Sequence, residues 1–547
     1  MTTPDLPTAG SDGPSTALSA ARRARDLAAL RDRTEPVDLI VIGGGITGAG
    51  IALDAASRGL DTVLLEAHDL AFGTSRWSSK LAHGGLRYLA TGNVGIARRS
   101  AVERGILLER TAPHLVRPLA QVVPVFRNTS PVEAILPGLG FVAGTVLSRL
   151  AGTGADRLPG SRVLGPAAVE RYVPGVRRAG LRFGHLNWDC QLVDDARLVT
   201  AVARTAAGYG ARVITRARVL SASGTQVTVR DEFAGGAGGE GGGAAGRNDD
   251  DDEFTLTARA VVSATGVWAG ETTDEVRVRP SRGTHLVLDA AALGNPVGAL
   301  TVPVPGETNR FCFAIPAEFG RLHVGLTDVD APGPVPDVPE ATEDEVDFLL
   351  GVVNRALDTA LTRDDVLGTF AGLRPLVDFG DSDNGETADL SREHAVLTSP
   401  SGLITITGGK LTEYRLMAEQ AVDLVAERAG IDAGPCLTAD LPLVGAPGHA
   451  DVPRPAAGTG GRLPASLLGR FGQEASTVVS QSLLDRPLDP VADGLDVTRA
   501  EFSYAVTHEG ALTVDDVLDR RSRVGLVPTD RAAAEPTARE ALAAGGL

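Results

Sequence analysis

The chain has 547 residues, too many for one hydrophobic core, with 43% apolar and 22% charged residues as in ordinary soluble globular proteins. A formal charge of −17 argues against a general nucleic-acid binder, so any anionic ligand must meet a local cluster of Arg and Lys. No apolar run of about 18 residues is uninterrupted, which argues against a transmembrane helix. Three scattered cysteines (Cys190, Cys312, Cys436) without a CxxC pair fit a reducing compartment and exclude a Cys-based metal site on spacing.

Residues 1–36 read as a disordered leader closing in a short Arg-rich helix, without the apolar core of a secretory signal. Residues 37–42 (VDLIVI) then form a continuous apolar run, the mark of a parallel strand buried on both faces. Apolar spacing predicts a helix over 46–57, Gly59 lies where a C-terminal glycine ends it, and residues 62–65 make a second strand before Glu66. Gly43-Gly44-Gly45-Ile46-Thr47-Gly48 fits GxGxxG between that strand and that helix, with an acid at the end of the next strand, as a dinucleotide fingerprint requires. Gly43 permits the tight turn, Gly45 lets backbone approach a pyrophosphate, and Gly48 lets helix pack on strand. The helix N-terminus offers free N–H groups to phosphate, and Glu66 can accept ribose hydroxyls.

FAD and NAD share this fingerprint, and later segments decide between them. Thr74, Ser75, Ser78 and Ser79 supply short donors beyond the second strand, and the stretch TSRWSSKLAHGGLRYL (74–89) adds Lys80, His83, Gly84, Gly85, Arg87 and Tyr88. Residues 131–150 (PVEAILPGLGFVAGTVLSRL) read first as a buried helix, and Arg98, Arg99, Arg104 and Arg110 as a solvated helix face. Peripheral membrane contact is the alternative for each. Asp194 and Asp195 open a predicted helix as cap and first-turn acids, not as a catalytic pair. Strands near 227–229 and 254–258 flank a Gly/Asp-rich insert, about 234–252, that cannot bury a core and reads as a flexible loop.

AVVSATGVWAG then brings Ala264, Thr265 and Gly266 to a second strand-to-glycine turn, and GGKLTEYR places Gly409 and Lys410 at another helix start. Three separated glycine-rich turns around one long cofactor indicate a flavoprotein. Short runs over 282–328 predict an antiparallel sheet, 343–361 a helix, and the helix after GGK ends near Gly430. The expected units are a discontinuous FAD-binding region over 37–440 with a substrate part at about 276–395, a linker at 441–464, and a helical domain over 465–547. No metal site is expected: Asp249 to Asp252 lack EF-hand spacing and His508-Glu509 lacks the second His of a zinc-protease helix.

IGGGITGAGIALDAASRG, TSRWSSKLAHGGLRYL, VDDARL, SATGVW and GGKLTEYR, in this order, resemble the FAD-dependent glycerol-3-phosphate dehydrogenases, and Arg76-Trp77 most resembles their actinobacterial branch. SRGTHLVL, GLTDVD, AGLRPLV and SREHAV match intermediate blocks, so the resemblance spans about 37–530. It implies an α/β fold: a discontinuous Rossmann-like FAD-binding domain, an antiparallel-sheet substrate domain and a C-terminal helical domain. It also implies oxidation of sn-glycerol 3-phosphate to dihydroxyacetone phosphate, with electrons passed to a membrane quinone from a cytoplasmic, peripheral position. A homo-oligomer is compatible with the sequence and not specified by it.

Removing the hydroxyl proton of a secondary alcohol during hydride transfer calls for a base with pKa near working pH, which suits His. By resemblance His285 (SRGTHLVL) is the first choice, and His83 lies along the flavin. Arg forks and a Lys suit a phosphate dianion, which assigns Arg87, Arg374 and Lys410, with Tyr88 as a neutral donor and Arg392 as a weaker fourth. Lys410 has a second reading, polarising the flavin or the substrate oxygen. Two other functions compete: an oxygen-using oxidase of the same fold, and a flavin-binding sensor without catalysis.

Overall fold

The computed structural model describes residues 15–85, Tyr88, 93–233, 252–272, 276–307, 310–377, 394–449 and 463–547. Arg87, Arg392 and residues 234–251 of the Gly/Asp-rich insert lie outside the described residues.

The first sheet is built on Val37–Ile42, with Thr62–Leu65 and Arg212–Ile214 parallel on one side and Glu253–Ser263 and Ile404–Gly408 parallel on the other. His394–Thr398 adds an antiparallel edge. Alternation along the central strand sorts the two faces. Leu39 and Val41 pack with the helices Ile46–Ser57, Asp195–Gly208 and Tyr414–Ala429. Ile40 and Ile42 pack instead with Leu27 and Leu30 of the helix Ala20–Arg31 and with the hairpin residues Val227 and Val229. The helix of the leader is therefore a docked element. Ser19 caps it, and Arg23 reaches the Thr215 carbonyl at 2.7 Å and Asp231 at 2.5 Å.

The second sheet is mainly antiparallel and follows the order Val329–Asp330, Val278–Asp289, Arg321–Gly325, Phe311–Pro316, Ala299–Pro303, Val116–Phe126, Leu181–Leu192 and Leu81–Ala82. Val366–Val377 pairs along the far side of Val278–Asp289. Its strands come from before and after the first sheet's middle segment, so it reaches well outside the span 276–395. The reason is one parallel pairing, Ala299 beside Gln121, which ties the later strands to Val116–Phe126. One face packs on the helices Glu343–Val353 and Pro166–Tyr172 through Leu186, Leu300, Ala314 and Leu349. The opposite face looks across a large cavity toward the first sheet.

The helix Pro131–Leu150 departs from its expected burial. It is long and apolar enough to cross a membrane by length and composition. Yet Val132 (66%), Leu139 (64%) and Leu150 (72%) stand in solvent, and only Leu147 and Ser148 are buried. A capping box of Ser130 and Glu133 starts it. Arg104 also departs from its expected solvated face, since it is buried against Asp189 and Ser148. Residues 441–449, within the expected linker, contribute Leu441, Leu443 and Val444 to the core, and 450–462 lie outside the described residues. Beyond them the described chain is mainly helical, with a non-helical stretch over 481–498 before Arg499–Thr507 and Pro528–Ala544.

Candidate active site

A single cavity of about 1250 Å³ runs from Glu66 and His68 past the first glycine turn to the second sheet. Gly43 takes φ +108°, a conformation L side chains rarely adopt, and a Cβ on Gly48 would lie 1.8 Å from the Gly43 carbonyl oxygen. Strand and helix meet at bare backbone here. Gly45 is the helix N-cap and supplies no side-chain cap, while Ile46 N–H donates to Ser75 Oγ at 2.9 Å. The helix thus begins open to the cavity, as a pyrophosphate site requires.

Glu66 accepts Gly44 N–H at 2.6 Å and His68 N–H at 2.7 Å, which fixes its carboxylate at one end of the cavity. Burial pushes its pKa above the ordinary glutamate value, and those two backbone donors oppose the rise. Thr74 donates to the Leu373 carbonyl at 2.7 Å, joining the 74–80 loop to the second sheet. Ala264, Thr265 and Gly266 line the middle of the cavity, and Thr407 donates to the Gly266 carbonyl at 3.0 Å. Gly409 lines it next to Lys410, and a Cβ there would lie 2.7 Å from Met417 Sδ. The residues present fit a long dinucleotide cofactor of the flavin type: an acid at one end, bare glycine backbone at the bend, and a further glycine turn at the other end.

Beyond that turn the cavity carries charge. The Arg374 guanidinium donates to Ser281 Oγ (3.2 Å), Asp328 Oδ1 (3.1 Å) and the Thr327 carbonyl (3.0 Å). Gly283 makes room for it, since a Cβ there would lie 2.2 Å from Arg374 Nη2. Lys410 Nζ lies 3.8 Å from the centroid of the Tyr88 ring, and it donates to Ser100 Oγ at 2.9 Å. Both cations and Tyr88 line the cavity.

The two histidines named from sequence sit differently. His285 is 1% exposed, its ring stacks on Phe370 at 4.6 Å, and it is not among the residues on the cavity wall. Its Nε2 meets Ser79 Oγ at 2.9 Å, and Ser79 does line the cavity. Burial, followed by His323, Lys80 and Arg374, holds its pKa well below the ordinary imidazole value. His83 is on the wall, with nearly half of its side chain exposed. Its Nδ1 lies 3.2 Å from Asp189 Oδ2, while Asp189 Oδ1 accepts Gly84 N–H at 3.1 Å and Arg104 Nη1 at 2.9 Å. Burial raises the Asp189 pKa, but His83 and Arg104 outweigh it and keep the carboxyl below its ordinary value. An ionised acceptor at Nδ1 favours the tautomer that leaves the lone pair on Nε2. Gly85 takes φ +81° and packs against Ala97.

Asp189 went unread in the sequence. The available signal was an acid inside an otherwise apolar and aromatic strand, LNWDCQL, where a charge survives only with a partner. Asp194 caps its helix through Arg197 N–H at 2.9 Å, as expected, but Asp195 does more than open it. It receives Lys80 Nζ at 2.7 Å and Ser78 Oγ at 2.7 Å, pinning the 74–80 loop from below.

The family model "FAD dependent oxidoreductase" matches residues 38–415, and "C-terminal domain of alpha-glycerophosphate oxidase" matches residues 436–544. Glycerol-3-phosphate dehydrogenase 1 of Mycobacterium tuberculosis is 55% identical over 529 residues, covering 96% of this chain and 99% of that protein. The aerobic glycerol-3-phosphate dehydrogenase of Escherichia coli is 34% identical over 510 residues, covering 90% of this chain and 95% of that one. Among solved structures, the glycerol-3-phosphate dehydrogenase from Bacillus halodurans complexed with FAD superposes with a TM-score of 0.70 at 27% identity, over 96% of this chain and 94% of that one.

Proposed function

This chain belongs to the FAD-dependent glycerol-3-phosphate dehydrogenases, and from that premise we propose how its own residues oxidise sn-glycerol 3-phosphate to dihydroxyacetone phosphate. The observation that carries the scheme is that Arg374, Lys410 and the His83–Asp189 pair share one cavity with the dinucleotide turn. FAD, bound along that cavity, supplies the two-electron acceptor for the hydride on the substrate's C2. Arg374 and Lys410 hold the phosphate dianion, and Tyr88 adds a neutral donor. The bonds from Arg374 to Ser281, Asp328 and Thr327 hold its fork in place before substrate arrives, so less freedom is lost on binding. His83 Nε2 takes the C2 hydroxyl proton, and Asp189 orients the ring and stabilises the cation that results. Position supports His83 over His285: one imidazole is on the wall, and the other reaches it only through Ser79.

The electron acceptor in this proposal is a lipid-soluble quinone met at a membrane surface. Support comes from the Pro131–Leu150 helix, whose outer face is apolar and exposed while Leu136, Leu139 and Phe141 line the cavity. Adding glycerol 3-phosphate to the purified yellow protein without oxygen should bleach its visible flavin band. Admitting a quinone should then restore the band faster than air does. A protein that fails to bleach overturns the substrate assignment, and one that reoxidises equally fast in air is an oxidase.

A further inference from the structure

The cavity face of the second sheet carries polar groups that the scheme above does not use. Side-chain alternation puts Ala120, Val122 and Leu300 into the core on the opposite face, and leaves Gln121, Thr301 and Phe313 facing the cavity. Gln121 and Thr301 stand on neighbouring strands, with Gln121 beside Ala299 and Thr301 beside Phe313. Both are nearly sequestered, at 5% and 4% exposure. Gln121 Nε2 and Thr301 Oγ1 have no hydrogen-bond partner among the described residues, nor has Nδ2 of Asn187, directly across from Gln121. Orphaned donors are costly in a folded interior, so the two on the cavity wall, Gln121 and Thr301, mark a place where a ligand supplies the acceptors.

The surroundings define that ligand. The walls here are Leu136, Leu139 and Phe141 of the Pro131–Leu150 helix with Phe311 and Phe313 of the sheet. Arg310, beside Phe311, is already engaged by Glu307 at 2.7 Å. An apolar slot with neutral donors on its floor disfavours a phosphate dianion and favours a flat, uncharged molecule bearing carbonyl oxygens. Its roof is the helix whose outer face stands exposed and apolar. We propose that Gln121 and Thr301 form the headgroup site for a lipid-borne quinone, donating hydrogen bonds to its carbonyl oxygens under the Pro131–Leu150 helix. This rests on the quinone-linked reading above. The quinone takes up two electrons and two protons, the equivalents withdrawn from glycerol 3-phosphate, and leaves as quinol. Donors aimed at its carbonyl oxygens stabilise the negative charge that develops there as electrons arrive.

The test uses Gln121→Leu and Thr301→Val in the FAD-loaded enzyme, with flavin content as the check on folding. Thr301→Val, which keeps the side-chain shape, carries the test if Gln121→Leu fails to fold. Each variant should raise the KM for a short-tailed quinone about 10-fold. Calorimetric binding of that quinone to the oxidised enzyme, with no glycerol 3-phosphate present, should weaken by the same factor. Anaerobic flavin reduction by glycerol 3-phosphate should keep its rate and concentration dependence. Slower reduction, or a higher glycerol 3-phosphate requirement, would give these donors to the substrate and overturn the proposal. Unchanged quinone binding would mean that the donors are only hydrated, and would also overturn it. A wild-type enzyme that reduces oxygen and no quinone would overturn the acceptor reading itself, and this site with it.

Discussion

His83 and Asp189 stand 106 residues apart and meet because Leu81–Ala82 pairs antiparallel with Gln191 and Cys190 at the end of a long strand. That pairing makes the proposed base directly testable. His83→Gln should slow anaerobic flavin reduction by about 10²- to 10⁴-fold while dihydroxyacetone phosphate still binds. His285→Ala should have a much smaller effect, and the reverse ranking in stopped-flow traces would return the base to His285 acting through Ser79. Arg374→Ala should raise the glycerol 3-phosphate KM by about 10- to 100-fold through loss of a charge-assisted bond, with FAD retained. Loss of the flavin absorbance would show instead that Arg374 supports the cofactor. Arg374 and Lys410 were named through the family resemblance of their blocks, AGLRPLV and GGKLTEYR, and both line the cavity. Asp189 was not, because its role arises from two partners, His83 and Arg104, brought from elsewhere in the chain.

At the scale of elements, the βαβ unit was legible almost residue by residue. A buried parallel strand, a glycine turn and a helix each leave a local pattern, and the elements fall at Val37–Ile42, Ile46–Ser57 and Thr62–Leu65. The helix Pro131–Leu150 shows where local pattern runs out. A helix apolar on all sides belongs to a core or to lipid, and only its neighbours decide which. Here the neighbours are few: Gly138 rests on the His185 ring, His185 meets the Ala134 carbonyl at 2.7 Å, and Ser148 binds Arg104. Leu136, Leu139 and Phe141 border the cavity, and much of the remaining surface faces outward. Val142 and Val146, 57% and 52% exposed, do not line the cavity, so changing them tests the surface alone. The double variant V142E/V146E should lose cosedimentation with phospholipid vesicles. Its thermal midpoint and its turnover with a water-soluble dye should stay as in the parent protein, because exposed substitutions of this kind shift stability by roughly 0.5 kcal/mol or less. Undiminished vesicle binding would move the membrane contact to another surface.

For the molecule as a whole, the C-terminal helices are fastened to the dinucleotide unit by buried ion pairs. Asp69, just after the second strand, receives Arg521 at 2.8 Å and Arg520 at 2.7 Å. Arg197 meets Glu509 at 3.0 Å, Arg204 meets Glu474 at 2.8 Å, and Arg523 donates to the Arg76 carbonyl of the cofactor loop at 2.8 Å. The sequence marked this region as mainly helical, but partners 270 to 452 residues apart leave no local trace. Burial alone would raise the Asp69 pKa, and Arg521 and Arg520 more than reverse it, so its folded value lies well below the ordinary aspartate value. A carboxylate with a depressed folded pKa contributes stability above its unfolded value of about 3.9, and that stability is lost as pH falls below it. Asp69→Asn should therefore cost roughly 3–5 kcal/mol near neutral pH by leaving Arg521 an uncompensated buried charge, with Arg520 keeping Asp516. The variant should also lose less stability than the parent on acidification through that range. Urea unfolding followed at pH 7 and again near pH 3 measures both effects. Equal losses on acidification in parent and variant would show that the acid sensitivity resides in other carboxylates, Glu474 first among them, and not in the Asp69 clasp.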